Sequence, residues 1–193
     1  MDFETVLRRR RMVRNFADRP VPPEAVERLV RNVQRGPSAG FTQGVELLVL
    51  EGPEETGRYW DAALPPSQRS GFPWPGLLRA PLLMVPFADE QAYRDRYAEP
   101  DKAGSRAAFR VPWWTVDASF SALLGLLTAV DAGLGAAFFG VFRPEAVRAA
   151  FGVPARYDPI GAVAAGYPAP DRRSSSAGRG RRPAAEVIHR GRW

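Results

Sequence analysis

Three observations predict an α+β sandwich. Short, strongly apolar runs recur at residues 45–50, 81–87, 136–141 and 160–168. Segments with helical periodicity alternate with them and then cover them. Between the second and third runs, residues 117–133 form a helix that is apolar almost all round, which demands cover from a core or a subunit interface. With 193 residues, 45% hydrophobic and 25% charged, the chain reads as one domain able to bury a core. Residues 171–193 read as a basic C-terminal arm, joined through a Ser/Gly-rich linker.

Taking the elements in order, Asp2 is suited to cap a short helix running through Arg9, with Phe3, Val6 and Leu7 on its buried face. Residues 12–16 read as extended. Pro22-Pro23-Glu24 opens a helix in which Val26, Leu29, Val30 and Val33 share a face, and Gly36-Pro37 ends it. The run 45–50 is apolar enough to predict a strand buried on both faces. A short helix near 54–62 precedes a Pro/Gly/Ser-rich loop at 64–76, which carries Phe72 and Trp74. Residues 81–87 form a second buried strand with Pro81 and Pro86 at its edges. A helix at 89–97 leads into a long irregular segment, 98–114, that ends in two tryptophans. After the apolar helix, Gly133-Leu134-Gly135 reads as a C-cap, 136–141 as a third strand, 144–152 as a helix and 160–168 as a fourth strand. In the arm, Arg172 and Arg173 are expected to face solvent, His189 to be packed or solvent-facing, and Trp193 to anchor the end by packing.

Composition excludes much chemistry. There is no cysteine, hence no disulfide or thiolate, and a single histidine rules out a histidine metal cluster or a Ser-His-Asp triad not built on His189. Any redox or transfer chemistry therefore belongs to a bound cofactor. The first residues have no signal-peptide core, and the longest apolar stretch, 118–130, is too short to span a bilayer, so a cytoplasmic protein without membrane association is expected. All but one of the 27 basic residues are arginine and the net charge is +6. The excess concentrates at the two ends: residues 8–11 are all arginine, and residues 172–192 hold seven arginines against one glutamate. No recognition helix or aromatic-interleaved basic stripe accompanies it, so nucleic acid is not the expected partner.

Arginine forks suit phosphate oxygens, and small-residue turns bare backbone N–H groups to flat or anionic ligands. Arg10 to Phe16, the turn Pro37 to Gly44 and Arg179 to Pro183 together point to a phosphorylated planar cofactor. Their order, with Gly133-Leu134-Gly135 and Gly166-Tyr167-Pro168 between the last two, resembles the nitroreductase family over nearly the whole length. The resemblance implies a sandwich with a central, mostly antiparallel sheet flanked by helices, an intertwined homodimer, FMN as cofactor, NAD(P)H as electron donor and a small-molecule acceptor of nitroaromatic or quinone type, reduced by a ping-pong mechanism. It further implies that Arg10, Arg11, Met12 and Arg14 hold the flavin, completed by Arg179 and Arg181 from the arm. Pro37, Ser38 and Ala39 would reach the flavin from the partner subunit, and Phe139, Gly140 and Val141 would lie along the ring edge. Phe41, Phe72, Trp74 and Trp113 are substrate-site candidates, although such aromatics equally suit plugging an interface. No catalytic side chain is implied. Against the family pattern, Met12 stands for a serine, Phe41 for an asparagine, Gly44 for a proline, and Phe72-Pro73-Trp74 for a segment carrying a flavin-contacting asparagine. The site is therefore more apolar than usual. Alternatives consistent with those departures are a deazaflavin or specialised reaction, or ligand binding without turnover.

Overall fold

The computed structural model describes residues 1–102, 110–172 and 178–193. Its five-stranded sheet comprises β1 (Val45–Glu51), β2 (Leu82–Asp89), β3 (Gly135–Phe139), β4 (Tyr157–Pro159) and β5 (Ala162–Gly166). The strands run in the order β1-β2-β5-β3, with β4 also paired to β2, and every pairing is antiparallel. Helices α1 (Phe3–Arg9), α2 (Pro23–Val33), α3 (Gly52–Ala63), α4 (Pro66–Arg69), α5 (Glu90–Ala98), α6 (Trp113–Asp131), α7 (Pro144–Phe151) and α8 (Ala184–Val187) surround it.

Central β2 is buried along its whole length, and the two-residue alternation of a strand splits its side chains between two cores. Leu83, Val85 and Phe87 face Tyr59, Trp60 and Val147 from α3 and α7. Leu82 and Met84 face Val26, Leu29, Leu126 and Ala129 from α2 and α6. The expected α+β sandwich is thus three layers, helices on both faces of an antiparallel sheet.

Several expectations are corrected. β1 is an edge strand with only Leu50 buried, because α6 packs mainly over β2, β3 and β5 and covers this margin of the sheet less. Pro86 lies inside β2, opposite Leu47. Its carbonyl accepts from Ile160, so its missing N–H faces the gap between β4 and β5, where no ladder bond is lost. The single turn α4 falls where a loop was expected, and the short β4 in a stretch that carried no assigned element. On α1, Asp2 caps Thr5 N–H at 2.9 Å as predicted, but only Val6 is buried; Phe3 and Leu7 are 67% and 46% exposed, because a two-turn helix meets the body mainly along α6.

Helix α6 starts four residues earlier than expected. It is long and apolar enough, by length and composition, to cross a membrane, so the length argument fails. What identifies its place is the small-residue face, Ala118, Ser121, Ala122, Gly125 and Ala129, buried against β2, β3 and β5. Its opposite face leaves Phe120 and Leu123 40% and 45% exposed, so the chain does not cover it all round. Gly133, at φ 76°, caps the helix as predicted, with Leu134 N–H returning to Ala129 O at 2.8 Å.

Candidate functional site

The N-terminal extended segment is laid against the free edge of β3. Val13 N–H donates to Ala136 O at 2.9 Å, Met12 bridges Ala136 in parallel sense, and Phe16 bridges Pro168. Gly135 makes this seat possible: a Cβ there would stand 2.8 to 3.0 Å from three atoms of Val13. Met12 is half-buried, and its Sδ takes the Phe138 N–H at 3.4 Å, a sulfur acceptor where a hydroxyl was usual.

Two cavities open along this segment. One, of about 460 Å³, is lined by Arg8, Arg9 and Arg11 with Val13 and the Gly133–Gly135 turn. The other, of about 310 Å³, gathers Arg14, Trp74, Arg79 and Arg172 around Gly76. Arg14 and Arg172 lie over the Trp74 ring at 4.8 and 4.1 Å. Asp171 accepts the Arg14 N–H at 2.9 Å, and Arg172 also donates to Pro73 O. Arg172, expected in solvent, is exposed yet engaged; Arg173 lies outside the described residues. Gly76 permits the close approach of Asn15, which bonds Pro170 O and accepts from Arg79. Arg10 is half-buried at the end of α1. Among the described residues, Arg10, Arg11 and Arg14 have no carboxylate ion-pair partner.

The 37–44 turn stands elsewhere on the chain. Pro37 and Ser38 line a separate cavity of about 410 Å³ against α2 and β1, and no turn residue lines either arginine cavity. Ala39 N–H donates to the buried carboxylate of Asp117 at 2.7 Å, which also accepts from Tyr93 Oη at 2.7 Å. Burial first, then that hydrogen bond, pushes the Tyr93 pKa up and keeps the phenol a donor. Phe41 is 78% exposed.

The ring-edge candidates follow β3. Phe139 is half-buried and stacks on Trp60 at 5.5 Å. Gly140 is exposed, and a Cβ there would meet nothing within 4 Å, so its backbone is open to a ligand; Val141 is half-buried. Phe72 packs with Trp60 and Phe142, in the core rather than toward the arginines. Trp113 opens α6, half-buried. Arg179 and Arg181 are exposed and line neither arginine cavity, so the expected two-ended cluster is not assembled within this chain. Trp193 is fully exposed and stacks only on His189 at 4.3 Å, instead of anchoring the end, because α8 and the residues after it have no buried side chain to pack on. Sequence reasoning missed Asp171, Arg79, Asn15 and Gly76, whose roles come from contacts between distant segments, and gave Arg8 and Arg9 no role beyond their charge.

The model of the nitroreductase family matches residues 7–167. An NADH dehydrogenase of Thermus thermophilus is 28% identical over 188 residues, covering 88% of each chain. Two solved structures share the fold. A nitroreductase family protein of Clostridium difficile 630 superimposes with a TM-score of 0.76 at 23% identity, covering 100% of both chains. An FMN-dependent nitroreductase of Clostridium difficile R20291 superimposes with a TM-score of 0.70 at 19% identity over 97% of this chain and 98% of the other.

Proposed function

The chain belongs to the nitroreductase family, and from that membership we propose that it is an NAD(P)H-dependent flavin oxidoreductase using FMN to reduce an electron-poor acceptor of nitroaromatic or quinone type. One observation carries the reading: Arg10, Arg11 and Arg14 lie without carboxylate partners on a single segment seated on the edge of β3, which ends at the open backbone of Gly140. That donor set fits an anionic, planar group. Bound FMN would supply the hydride chemistry. The named relatives, an NADH dehydrogenase and an FMN-dependent nitroreductase, support the same assignment.

The chain's own residues would bind and orient. Arg10 and Arg11 neutralise the phosphate, with Arg179 and Arg181 joining from the arm. Arg14 supports the pyrimidine end, while Met12 and the Phe139–Val141 backbone flank the ring without offering a competing acid or base. Trp74 and Trp113 supply apolar walls that exclude water, and Phe72 backs them from the core. With no side chain assigned a proton, solvent supplies protons, and donor and acceptor use one cavity in turn.

The working unit we propose is a cytoplasmic homodimer. Phe3 and Leu7 on α1 and Phe120 and Leu123 on α6 leave apolar surface on two contacting helices. The 37–41 turn lies away from its own protomer's arginine cavities, so its place in the site is across the interface. Steady-state kinetics of FMN-loaded protein with NADH or NADPH and menadione test the reading. Parallel double-reciprocal lines are expected; intersecting lines contradict the ping-pong order, and absent turnover favours ligand binding alone.

A further inference from the structure

The turn after α2 is held more firmly than a surface turn needs. Gly40, Phe41 and Gln43 sit at φ of 63°, 53° and 55°. Residues with side chains adopt that conformation only where their surroundings enforce it. The enforcement is visible. Asp117, 3% exposed, receives both Ala39 N–H and Tyr93 O–H on one oxygen, Oδ2. Arg96 Nε donates to Gly40 O at 2.9 Å, and Ser38 Oγ accepts the Gln43 N–H at 2.8 Å. A Cβ on Gly44 would lie 2.6 Å from the Tyr93 ring, so the turn is pressed onto α5 as well. Yet the product of this anchoring is a phenyl ring standing 78% exposed on its own chain. Core packing gives no reason to fix a strained backbone in order to expose an aromatic side chain.

We propose that Asp117 is a positioning residue: it locks the 38–43 turn so that Phe41 presents its ring to an aromatic acceptor bound at the arginine segment of a second copy of this chain. The inference rests on the oxidoreductase reading above and deepens it by naming the residue that positions the acceptor's stacking partner. Electron-poor rings stack favourably on the negative face of a phenyl group, whereas an inorganic acceptor has no ring to stack. Asp117 touches no acceptor and acts through Phe41.

The test compares menadione with ferricyanide as acceptors for the FMN-loaded full chain. Phe41→Ala should lower the menadione-to-ferricyanide ratio of kcat/KM roughly three- to tenfold. Asp117→Ala should lower it equally, and the double variant no further, because both remove one interaction. Asp117→Asn, whose amide oxygen can accept both hydrogen bonds, should restore the ratio. Arg96→Ala loosens the same turn from the surface and should also lower the ratio, which keeps the test open if Asp117→Ala does not fold. Additive effects, an unrescued Asp117→Asn, or an unchanged ratio in Phe41→Ala overturn the proposal. A wild-type protein whose flavin is not reduced by NADH or NADPH overturns the oxidoreductase reading and this inference together, an outcome distinct from normal wild-type turnover with uncoupled variants.

Discussion

Replacing Gly135 with alanine tests how the arginine segment is seated. The added methyl would lie 2.8, 2.9 and 3.0 Å from Val13 Cγ2, Cβ and Cγ1, and both residues are buried. Val is stiff at χ1 and cannot rotate away, so the segment must lift from β3. Overpacking of this kind costs about 1–3 kcal/mol, and weakening the Val13–Ala136 hydrogen bond adds about 0.5–1.5 kcal/mol. The predicted loss is therefore roughly 1.5–4.5 kcal/mol, read from urea unfolding of flavin-free protein. Lifting the segment also misplaces at least one guanidinium, so FMN affinity, followed by flavin fluorescence quenching, should fall roughly ten- to a hundredfold. Gly152→Ala is the control: it is strained by φ 66° but meets open space and lines neither arginine cavity, so a loss of about 1–2 kcal/mol is expected with FMN affinity kept. A Gly135→Ala protein within about 0.5 kcal/mol of wild type, binding FMN normally, would refute the close-packed seat.

Arg181→Ala should weaken FMN roughly ten- to a hundredfold while leaving riboflavin, which lacks the phosphate, nearly unaffected; equal losses would assign Arg181 to fold or assembly. Arg172→Ala should cost about 0.5–1 kcal/mol in thermal unfolding through the lost Trp74 contact, and the same substitution in a Trp74→Ala background should cost less; identical costs in both backgrounds would dismiss the stacking. The Arg96 guanidinium hydrogen-bonds Asp101 and holds its carboxyl below the usual value. A depressed folded-state pKa gives stability that is present above the unfolded value and lost as pH falls through the folded one. In an NMR titration, Arg96→Ala should return Asp101 toward an ordinary carboxylate midpoint, and an unmoved midpoint would contradict the pairing.

Local signals read well from the sequence. The Asp2 cap, the Pro23 helix start and the Gly133 C-cap depend on neighbours within one or two turns, and each is found. Strand burial did not follow so simply, because an apolar run such as 45–50 reads alike at a sheet edge and at its centre. Pro86 shows the same limit: whether its missing N–H costs a bond depends on where β4 gives way to β5. In the candidate site, the importance of Arg10 to Arg14 was legible in charge and order. The platform Trp74 shares with Arg14 and Arg172 was not, since it is built from three segments far apart in sequence. Asp117 was legible only as the expected start of a helix; its role as acceptor for Ala39 and Tyr93 exists only once α5, α6 and the turn have packed.

Anaerobic titration of the FMN-loaded protein with NADH, and separately with NADPH, bears most directly on the central claim. One of these donors should bleach the oxidised flavin absorbance at about one equivalent per flavin, as a two-electron donor must. Menadione added afterwards should restore the absorbance. Bands that persist under excess of both donors would contradict that claim, leaving a protein that holds flavin without passing its electrons on.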